Sequence, residues 1–169
     1  MSLHYLVFRG LSKAYTFGPT FRAENSRSRL HLAEFYMIEA EAAFIDSLDE
    51  LMKVMENLIK YVTSQVMEKC ADDVEMLQLT DGNEGFALSV LERPFEVMTY
   101  DQAIDILDRH SGNFVSQVRK GQGLGKEHEL HLVKHCGDCP VFVVDWPHDI
   151  KPFYMKQSLQ DNSKVFTVI

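Results

Sequence analysis

The stretch from Ala14 to Phe44 constrains the fold of this chain more than any other. It holds two runs that are typical of β-strands, Tyr15–Phe21 and Leu32–Glu39, on either side of a polar loop. The first run is rich in aromatic and β-branched residues, which favour a pleated surface. The second run alternates, so that its odd and even positions face opposite sides. These patterns predict a β-hairpin in which Gly18-Pro19 marks a bulge or a sheet edge.

Four side chains of the predicted hairpin combine charge with a flat ring. Arg22 and Glu24 are two residues apart, so in an extended strand they point to the same face. His31 and Phe35 lie across the hairpin from them. A guanidinium suits phosphate or carboxylate, an imidazole can donate to phosphate, and a phenyl ring can stack on a base. The set predicts binding of a polyanion beside a flat ring. The simpler alternative is an edge hairpin with cross-strand ion pairs, each contributing about 0.2–1 kcal/mol.

The run from Phe21 to Glu41, FRAENSRSRLHLAEFYMIEAE, resembles the second signature motif of the class II aminoacyl-tRNA synthetases. The motif consists of Phe-Arg-x-Glu, a variable loop, His or Arg, then Phe and an acidic residue. The matching residues are Phe21, Arg22, Glu24, His31, Phe35 and Glu39. The preceding YTFGPTF and the tail HLAEFYMIEAE are similar to the asparaginyl branch. Leu30 stands where bacterial members commonly have arginine, and this resembles the mitochondrial form.

The resemblance implies a role for each matching side chain. Arg22 would be the catalytic residue, holding the α-phosphate of ATP and the carboxylate of the amino acid. Glu24 would contact the adenine amine or the terminal adenosine of tRNA. His31 would reach the terminal phosphates, with backbone groups of Leu32 beside them, and Phe35 would stack on adenine. Amino-acid activation depends on positioning and charge stabilisation, so no side-chain nucleophile is expected.

A second block near the C-terminus carries the same resemblance. PVFVVDWP, from Pro140, is predicted to be a buried strand, and DIKPFYMKQ follows it. Both are similar to a block of the asparaginyl branch, in which Tyr154 would line the amino-acid pocket. Glu127-His128-Glu129 also matches the branch. The aromatic and aspartate residues that usually precede this triplet are replaced, with Gly123 where the aspartate would fall.

The resemblance implies a fold and an activity. The expected fold is α+β, a largely antiparallel sheet flanked by helices, as a fragment of the class II catalytic fold. Residues 1–169 would be part of the catalytic domain, with the signature motif at 14–44 and an insertion at about 71–125. The parent family ligates asparagine to its tRNA through an asparaginyl-adenylate, using ATP. The alternative is an inactive interaction module derived from the same fold.

Several parts of the family's enzyme are not expected in this chain. They are the anticodon-binding domain, the first motif that usually forms the homodimer interface, and the segment that holds Mg²⁺. The Mg²⁺ ligands would therefore lie outside these residues. The expected partners of the full-length enzyme are ATP, asparagine and tRNA(Asn), and the expected location is the mitochondrial matrix, with the cytoplasm as the alternative. The resemblance leaves open whether this chain has enzymatic activity by itself.

Composition limits the function classes. A net charge of −8 argues against a dedicated nucleic-acid-binding domain, because phosphate neutralisation supplies most non-specific affinity. No apolar run approaches the ~18 residues of a membrane span, so no membrane partner is expected. Cys136 and Cys139 have CxxC spacing and follow three histidines, which leaves an unrelated metal-binding α+β protein as a third alternative. We predict no metal there, because a second ligand pair is missing. A helix end capped by Gly137 is the preferred interpretation.

The remaining elements follow from local patterns. A helix is predicted from about Asp46 to Cys70, capped by Ser47 with Glu50 and carrying a core-filling apolar stripe. Helical turns near Val74 and Phe86 are expected on either side of a turn cluster at 81–85, and a helix end is expected within residues 1–13. The next elements are a strand from Phe95, a helix over 101–110 and a final strand, KVFTVI. VRKGQGLG, before Lys126, is basic and glycine-rich but matches no complete phosphate-binding motif.

Overall fold

A computed structural model of the chain describes residues 10–25, 31–81, 91–158 and 161–168. Contacts divide the chain into two compact units, Met1–Asp46 and Ser47–Ile169, which are described separately. The helix end expected within residues 1–13 lies outside the described residues except for its last four positions. The tip of the hairpin loop and the turn cluster with the short helix after Asp81 also lie outside them.

The first unit contains a regular two-stranded hairpin. Strand β1, Lys13–Phe21, pairs antiparallel with β2, Glu34–Ala42, in an unbroken register of nine residue pairs. Gly18 faces Met37 directly, so no bulge is present and the glycine-proline pair occupies an edge position instead. Pro19 fits there because a strand of a two-stranded ribbon has one side free of ladder hydrogen bonds. The predicted hairpin is confirmed.

The second unit is built on a three-stranded sheet in the order β3-β4-β5. Its strands are β3, Glu96–Thr99, β4, Val141–Pro147, and β5, Lys164–Val168. Strand β3 runs parallel to β4, and β5 runs antiparallel to it. Together with the hairpin, most strand pairing among the described residues is antiparallel, as expected. The β3–β4 pair is the exception.

Four longer helices of this unit lie within the described residues. They are α1, Leu48–Lys69, α2, Ala71–Asp81, α3, Tyr100–Arg109, and α4, Lys126–His135. Helix α1 begins as predicted, because Oγ of Ser47 accepts the backbone N–H of Glu50 at 3.3 Å. Helix α2 has three turns, whereas only a short turn is expected from its sequence. None of the described helices has the length and apolar character required to cross a bilayer.

Helices cover both faces of the sheet and create two cores. On one face, α3 and α4 pack against the sheet around the fully buried Tyr100 and Leu107. On the other face, Met52 of α1 packs against Phe95, Phe142 and Val144. Alternate residues of β4 therefore enter different cores, as a strand buried on both sides requires.

A bulge in β4 changes this alternation. The register shifts between Val144 and Trp146, and Asp145 at this point has φ +56°. The extra residue rotates Trp146 into the core of Tyr100, at 5.0 Å between ring centroids, whereas uninterrupted alternation would direct it to the opposite face. The aromatic centre of the larger core thus depends on one irregular residue.

The apolar stripe of α1 is only partly covered. Met52 is buried and Met55 packs at the edge of the core, but Leu58, Ile59 and Val62 are 41–48 % exposed. The prediction that the whole stripe fills the core is therefore wrong for its second half. The three-stranded sheet is too narrow to cover a helix of 22 residues, about 33 Å long.

Candidate functional site

Arg22 extends from the end of β1 towards a ring and a sulfur on β2. Its backbone N–H donates to the carbonyl of Ala33 at 2.9 Å, which continues the ladder past the last strand pair. This fixes the side chain on the face that carries Phe35 and Met37. The guanidinium carbon lies 5.2 Å from the centroid of the Phe35 ring, and Nη2 lies 3.9 Å from Sδ of Met37. A cation and a flat ring are therefore adjacent and accessible.

Glu24 and His31 form a second pair at the same end of the hairpin, where the loop connects β1 to β2. Oε2 of Glu24 lies 3.8 Å from Nε2 of His31, and both side chains are about half exposed. The contact is an ion pair only when the imidazole is protonated, and an exposed pair of this kind contributes less than about 1 kcal/mol. Leu32, next to His31, is 66 % exposed. All five residues predicted for the nucleotide thus lie at one end of the hairpin, Phe35 in β2 and the other four in the residues that connect the strands.

The opposite face of the hairpin is apolar and uncovered in this unit. Phe17 and Tyr36 make a tilted ring contact at 5.5 Å between centroids. Both rings are more than 60 % exposed, as are Tyr15 and Phe21. Sequence reasoning did not single out this face, although the strand alternation places all of these rings on one side.

Tyr154, predicted for the amino-acid pocket, lies in the second unit. Its ring is 74 % exposed and meets the edge of Phe153 at 5.7 Å between centroids. The nearby Lys151 places Nζ 3.7 Å from the ring centroid of Trp146, and burial lowers the pKa of this lysine. The position of Tyr154 leaves it free to contact a ligand, and its role stays a prediction.

The larger unit contains an anchored segment that sequence reasoning missed. The hydroxyl of Tyr100 accepts the backbone N–H groups of Gly121 and Gln122, at 2.9 and 3.1 Å, and donates to the carbonyl of Gln122 at 2.8 Å. Tyr100 is fully buried and lies 21 residues before Gly121 in the sequence. No local pattern connects a tyrosine with backbone groups so distant in sequence.

Glu127 and His128 hold the two ends of the same segment. The Glu127 carboxylate accepts the N–H groups of Val115 and Ser116 at 2.9 and 2.7 Å, and these bonds lower its pKa. Nδ1 of His128 accepts the N–H of Gly125 at 3.0 Å, so Nε2 carries the proton donated to the carbonyl of Ser116 at 3.2 Å. The Glu-His pair, noted in the sequence as a family match, therefore fixes a loop.

Asp101 connects this segment to the sheet. Its Oδ1 lies 2.6 Å from Nζ of Lys120, and its Oδ2 lies 2.5 Å from Nζ of Lys164. Hydrogen bonds from Lys120 and then Lys164 lower the pKa of Asp101, and the same contact raises the pKa of Lys120. Asp101 also lines a small cavity of about 140 Å³, together with Asp145 and Asp161.

The histidines and cysteines of α4 occupy different environments. His128 is 3 % exposed, His131 lies 4.7 Å from the ring of His110, and His135 is exposed. Burial raises the pKa of the Cys136 thiol. Across the described part of the chain, no three His, Cys, Asp or Glu side chains are close enough to hold a metal ion.

The predicted helix end at Gly137 is confirmed. Gly137 has φ +70° and donates its N–H to the carbonyl of Lys134, and Asp138 donates to Val133. These two bonds form a Schellman motif, which favours glycine because the position requires a positive φ.

The family comparison covers almost the entire chain. Residues 1–168 match the family of class II tRNA synthetases (D, K and N). The chain is 48 % identical over 159 residues to the asparaginyl-tRNA synthetase of Homo sapiens, covering 92 % of this chain and 33 % of that protein. It is 41 % identical over 157 residues to the asparagine–tRNA ligase of Acholeplasma laidlawii, with the same two coverages. The chain thus spans about a third of the length of these relatives.

Two solved structures share the fold. The crystal structure of asparaginyl-tRNA synthetase from Pyrococcus horikoshii complexed with asparaginyl-adenylate has a TM-score of 0.83 and 37 % identity, covering 96 % of this chain and 35 % of that one. The Entamoeba histolytica asparaginyl-tRNA synthetase in complex with asparaginyl-adenylate has a TM-score of 0.78 and 29 % identity, with the same coverages.

Proposed function

Because the chain belongs to the class II tRNA synthetases (D, K and N), we propose that it carries part of the adenylate site of an asparagine–tRNA ligase. In this proposal the carboxylate of asparagine displaces pyrophosphate from ATP to form asparaginyl-adenylate. tRNA(Asn) then accepts the asparagine, and AMP is released. The names of the similar proteins support the choice of amino acid. The adenylate in two structures of the same fold supports the use of ATP.

The placement of Arg22 beside Phe35 is the observation that carries the proposal. The contact of its Nη2 with a thioether at 3.9 Å is weak, so the guanidinium can turn to a phosphate at little cost. Phe35 then offers its ring to the adenine. The fork geometry of Arg22 allows it to bind two oxygens of the α-phosphate at once.

The chain's own groups provide binding and charge stabilisation. Negative charge builds up on the oxygens of the α-phosphorus as the asparagine carboxylate attacks, and Arg22 is placed to offset it. Glu24 accepts from the adenine amine, and His31 donates to the terminal phosphates beside Leu32. Tyr154 contacts the amino acid. Mg²⁺ would neutralise the triphosphate, and the resemblance to the family implies that its ligands lie in the rest of the parent enzyme.

The remaining assignments concern the parent enzyme. Its substrates are ATP, asparagine and tRNA(Asn), and it forms a homodimer through parts that this chain does not include. We place it in the mitochondrial matrix because of the likeness of the loop before His31 to the mitochondrial form. The cytoplasm is the alternative.

Titration calorimetry with a non-hydrolysable asparaginyl-adenylate analogue tests the proposal. We expect weak binding to the chain and an affinity about 10- to 100-fold lower for Arg22→Ala, because a charged hydrogen bond contributes about 1.5–3 kcal/mol. Arg22→Lys should recover only part of this loss, since it keeps the charge without the fork. Lys13→Ala, at the far end of β1, is the matched control. Equal heats for wild type and Arg22→Ala would contradict the proposal.

One observation favours the alternative, an inactive interaction module. The exposed rings around Phe17 and Tyr36 form an apolar face suited to contact with another protein. In that case the chain binds no adenylate analogue but forms a defined dimer or complex, which light scattering would detect. Nucleotide binding that disappears in Arg22→Ala excludes this alternative.

A further inference from the structure

The segment from Val115 to Lys126 is the basic part of an acidic chain. Its twelve residues contain Arg119, Lys120 and Lys126 and no Asp or Glu, while the whole chain has a net charge of −8. It also contains Gly121, Gly123 and Gly125. Glycines without neighbours allow another backbone or a ligand to approach closely, and a Cβ added at Gly121 or Gly123 would meet nothing within 4 Å.

This segment is held in one conformation in spite of its glycines. A glycine-rich stretch without regular structure has high conformational freedom, which must be lost before a ligand can bind. Here the buried hydroxyl of Tyr100 binds the middle of the segment, and Glu127 and His128 bind its two ends. The freedom is therefore already lost in the folded chain, which favours binding.

The cations of the segment are exposed and charged. The side chains of Lys120 and Lys126 are 70 % and 63 % exposed, although each pairs with a carboxylate. Such exposed pairs exchange partners at a cost below about 1 kcal/mol. The guanidinium of Arg119 donates to the amide oxygen of Gln117. Because this amide is neutral, it does not neutralise the positive charge of Arg119.

We propose that this segment is a preformed edge that contacts the phosphate backbone of RNA, with Arg119 and Lys120 as phosphate-binding residues and Tyr100 as a positioning residue. The cations are distributed along an exposed segment, which fits an extended polyanion better than a single phosphate group. If the proposed function holds, the RNA is the tRNA substrate, and in this respect the inference rests on that function.

Fluorescence anisotropy with labelled tRNA between about 20 and 200 mM salt tests the phosphate contacts. We expect Arg119→Gln with Lys120→Gln to reduce the slope of log affinity against log salt by about 2, one for each lost contact. Lys53→Gln with Lys69→Gln, on exposed positions of α1, is the control for the change in net charge. We expect this control to leave the slope close to that of the wild type.

A second pair of variants tests the positioning role of Tyr100. Tyr100→Phe removes the three hydrogen bonds to the segment but none of its charges. We expect tRNA affinity to fall about 2- to 10-fold, because the segment is then mobile and must be ordered when tRNA binds. The salt slope should be unchanged, because the charges remain. Tyr61→Phe, with an exposed ring on α1, is the matched control. A lower melting temperature with unchanged tRNA affinity would show that Tyr100 is only structural.

The inference is overturned if the wild-type chain shows no salt-dependent tRNA binding at low salt, or if the two double variants have the same slope. Calorimetry with the adenylate analogue separates this failure from that of the proposed function. If the chain still binds the adenylate analogue but the two double variants have equal salt slopes, the inference fails and the proposed function stands. If the chain does not bind the adenylate analogue but the Arg119 and Lys120 double variant has a reduced salt slope, the proposed function fails and the inference stands.

Discussion

The two units of this chain differ in where their stability and their chemistry lie. The hairpin carries Arg22, Glu24, His31 and Phe35 at one end, but in its described residues no side chain is buried. The unit from Ser47 onward has two packed cores but carries none of the residues predicted to hold ATP. A two-stranded hairpin is marginally stable by itself in water. The groups predicted to bind the nucleotide are thus carried by the element with the least core of its own.

The difference shows what each kind of pattern can determine. Strand alternation alone orients the hairpin's side chains, because the orientation depends only on the period of two. It does not stabilise the hairpin, because stability requires apolar area removed from water. Substitutions should therefore affect ligand binding in the hairpin and folding in the larger unit. Of four predictions, given in order of decreasing effect, the first two test this division and the last two concern the larger unit alone.

The largest effect is expected for Trp146→Ala. Trp146 is 3 % exposed and packs against Tyr100 at the centre of the larger core, so the cavity should cost about 3–5 kcal/mol of unfolding free energy. Phe17→Ala also removes a contact between two aromatic rings, but in the hairpin, where Phe17 is 63 % exposed. It should lower the unfolding free energy by less than about 1 kcal/mol. Urea unfolding of both variants measures the difference. Equal costs would mean that the two units are not distinct in stability.

The second effect concerns a buried imidazole. His128→Leu leaves the N–H of Gly125 and the carbonyl of Ser116 without their partner, which should cost about 1–3 kcal/mol. His31→Leu in the hairpin changes a half-exposed side chain and should alter unfolding by about 0.5 kcal/mol or less. Thermal unfolding followed by circular dichroism compares the two. A larger loss for His31→Leu would contradict the division.

The sequence predicted the geometry of the hairpin better than that of the larger core, for physical reasons. Arg22 and Phe35 are placed by an unbroken register, and nothing distant alters it. Trp146 is placed by a bulge at Asp145, which alternation does not predict and which reverses the face of every later residue. The stripe of α1 followed the helical period correctly. Its burial depended on the width of the sheet, which local sequence does not contain.

The anchoring of the glycine-rich segment was also beyond sequence reasoning. The bonds from Tyr100 and Glu127 go to backbone groups, which every residue possesses, so no residue type marks the acceptor or donor position. The basic, glycine-rich composition of the segment is evident in the sequence, but it matches no complete phosphate-binding motif and predicted no role for the segment. What the composition could not predict was that buried side chains hold it fixed.

The third prediction compares two serines of α1. Ser47→Ala removes the N-cap bond to Glu50 and should lower the unfolding free energy of the larger unit by about 1 kcal/mol. Ser64→Ala removes a hydroxyl that donates to the carbonyl of Tyr61 inside the helix. Its effect should be close to zero, because alanine is the better helix former at such a position. Urea unfolding monitored by helical ellipticity distinguishes them, and equal losses would exclude a specific cap.

The smallest effect is expected from the titration of His131. Burial, and then the charges of His110, His135 and Lys134, lower its pKa below the usual 6.5. A lowered histidine pKa means that the unfolded chain binds the proton more readily than the folded chain. Its contribution is therefore present above pH 6.5 and is lost as pH falls through the lower folded pKa. We expect urea midpoints to fall between about pH 7 and pH 5, less steeply in His131→Phe and only slightly less steeply in Lys134→Gln. A His131→Phe profile as steep as that of the wild type would assign the acid sensitivity of the larger unit to other groups.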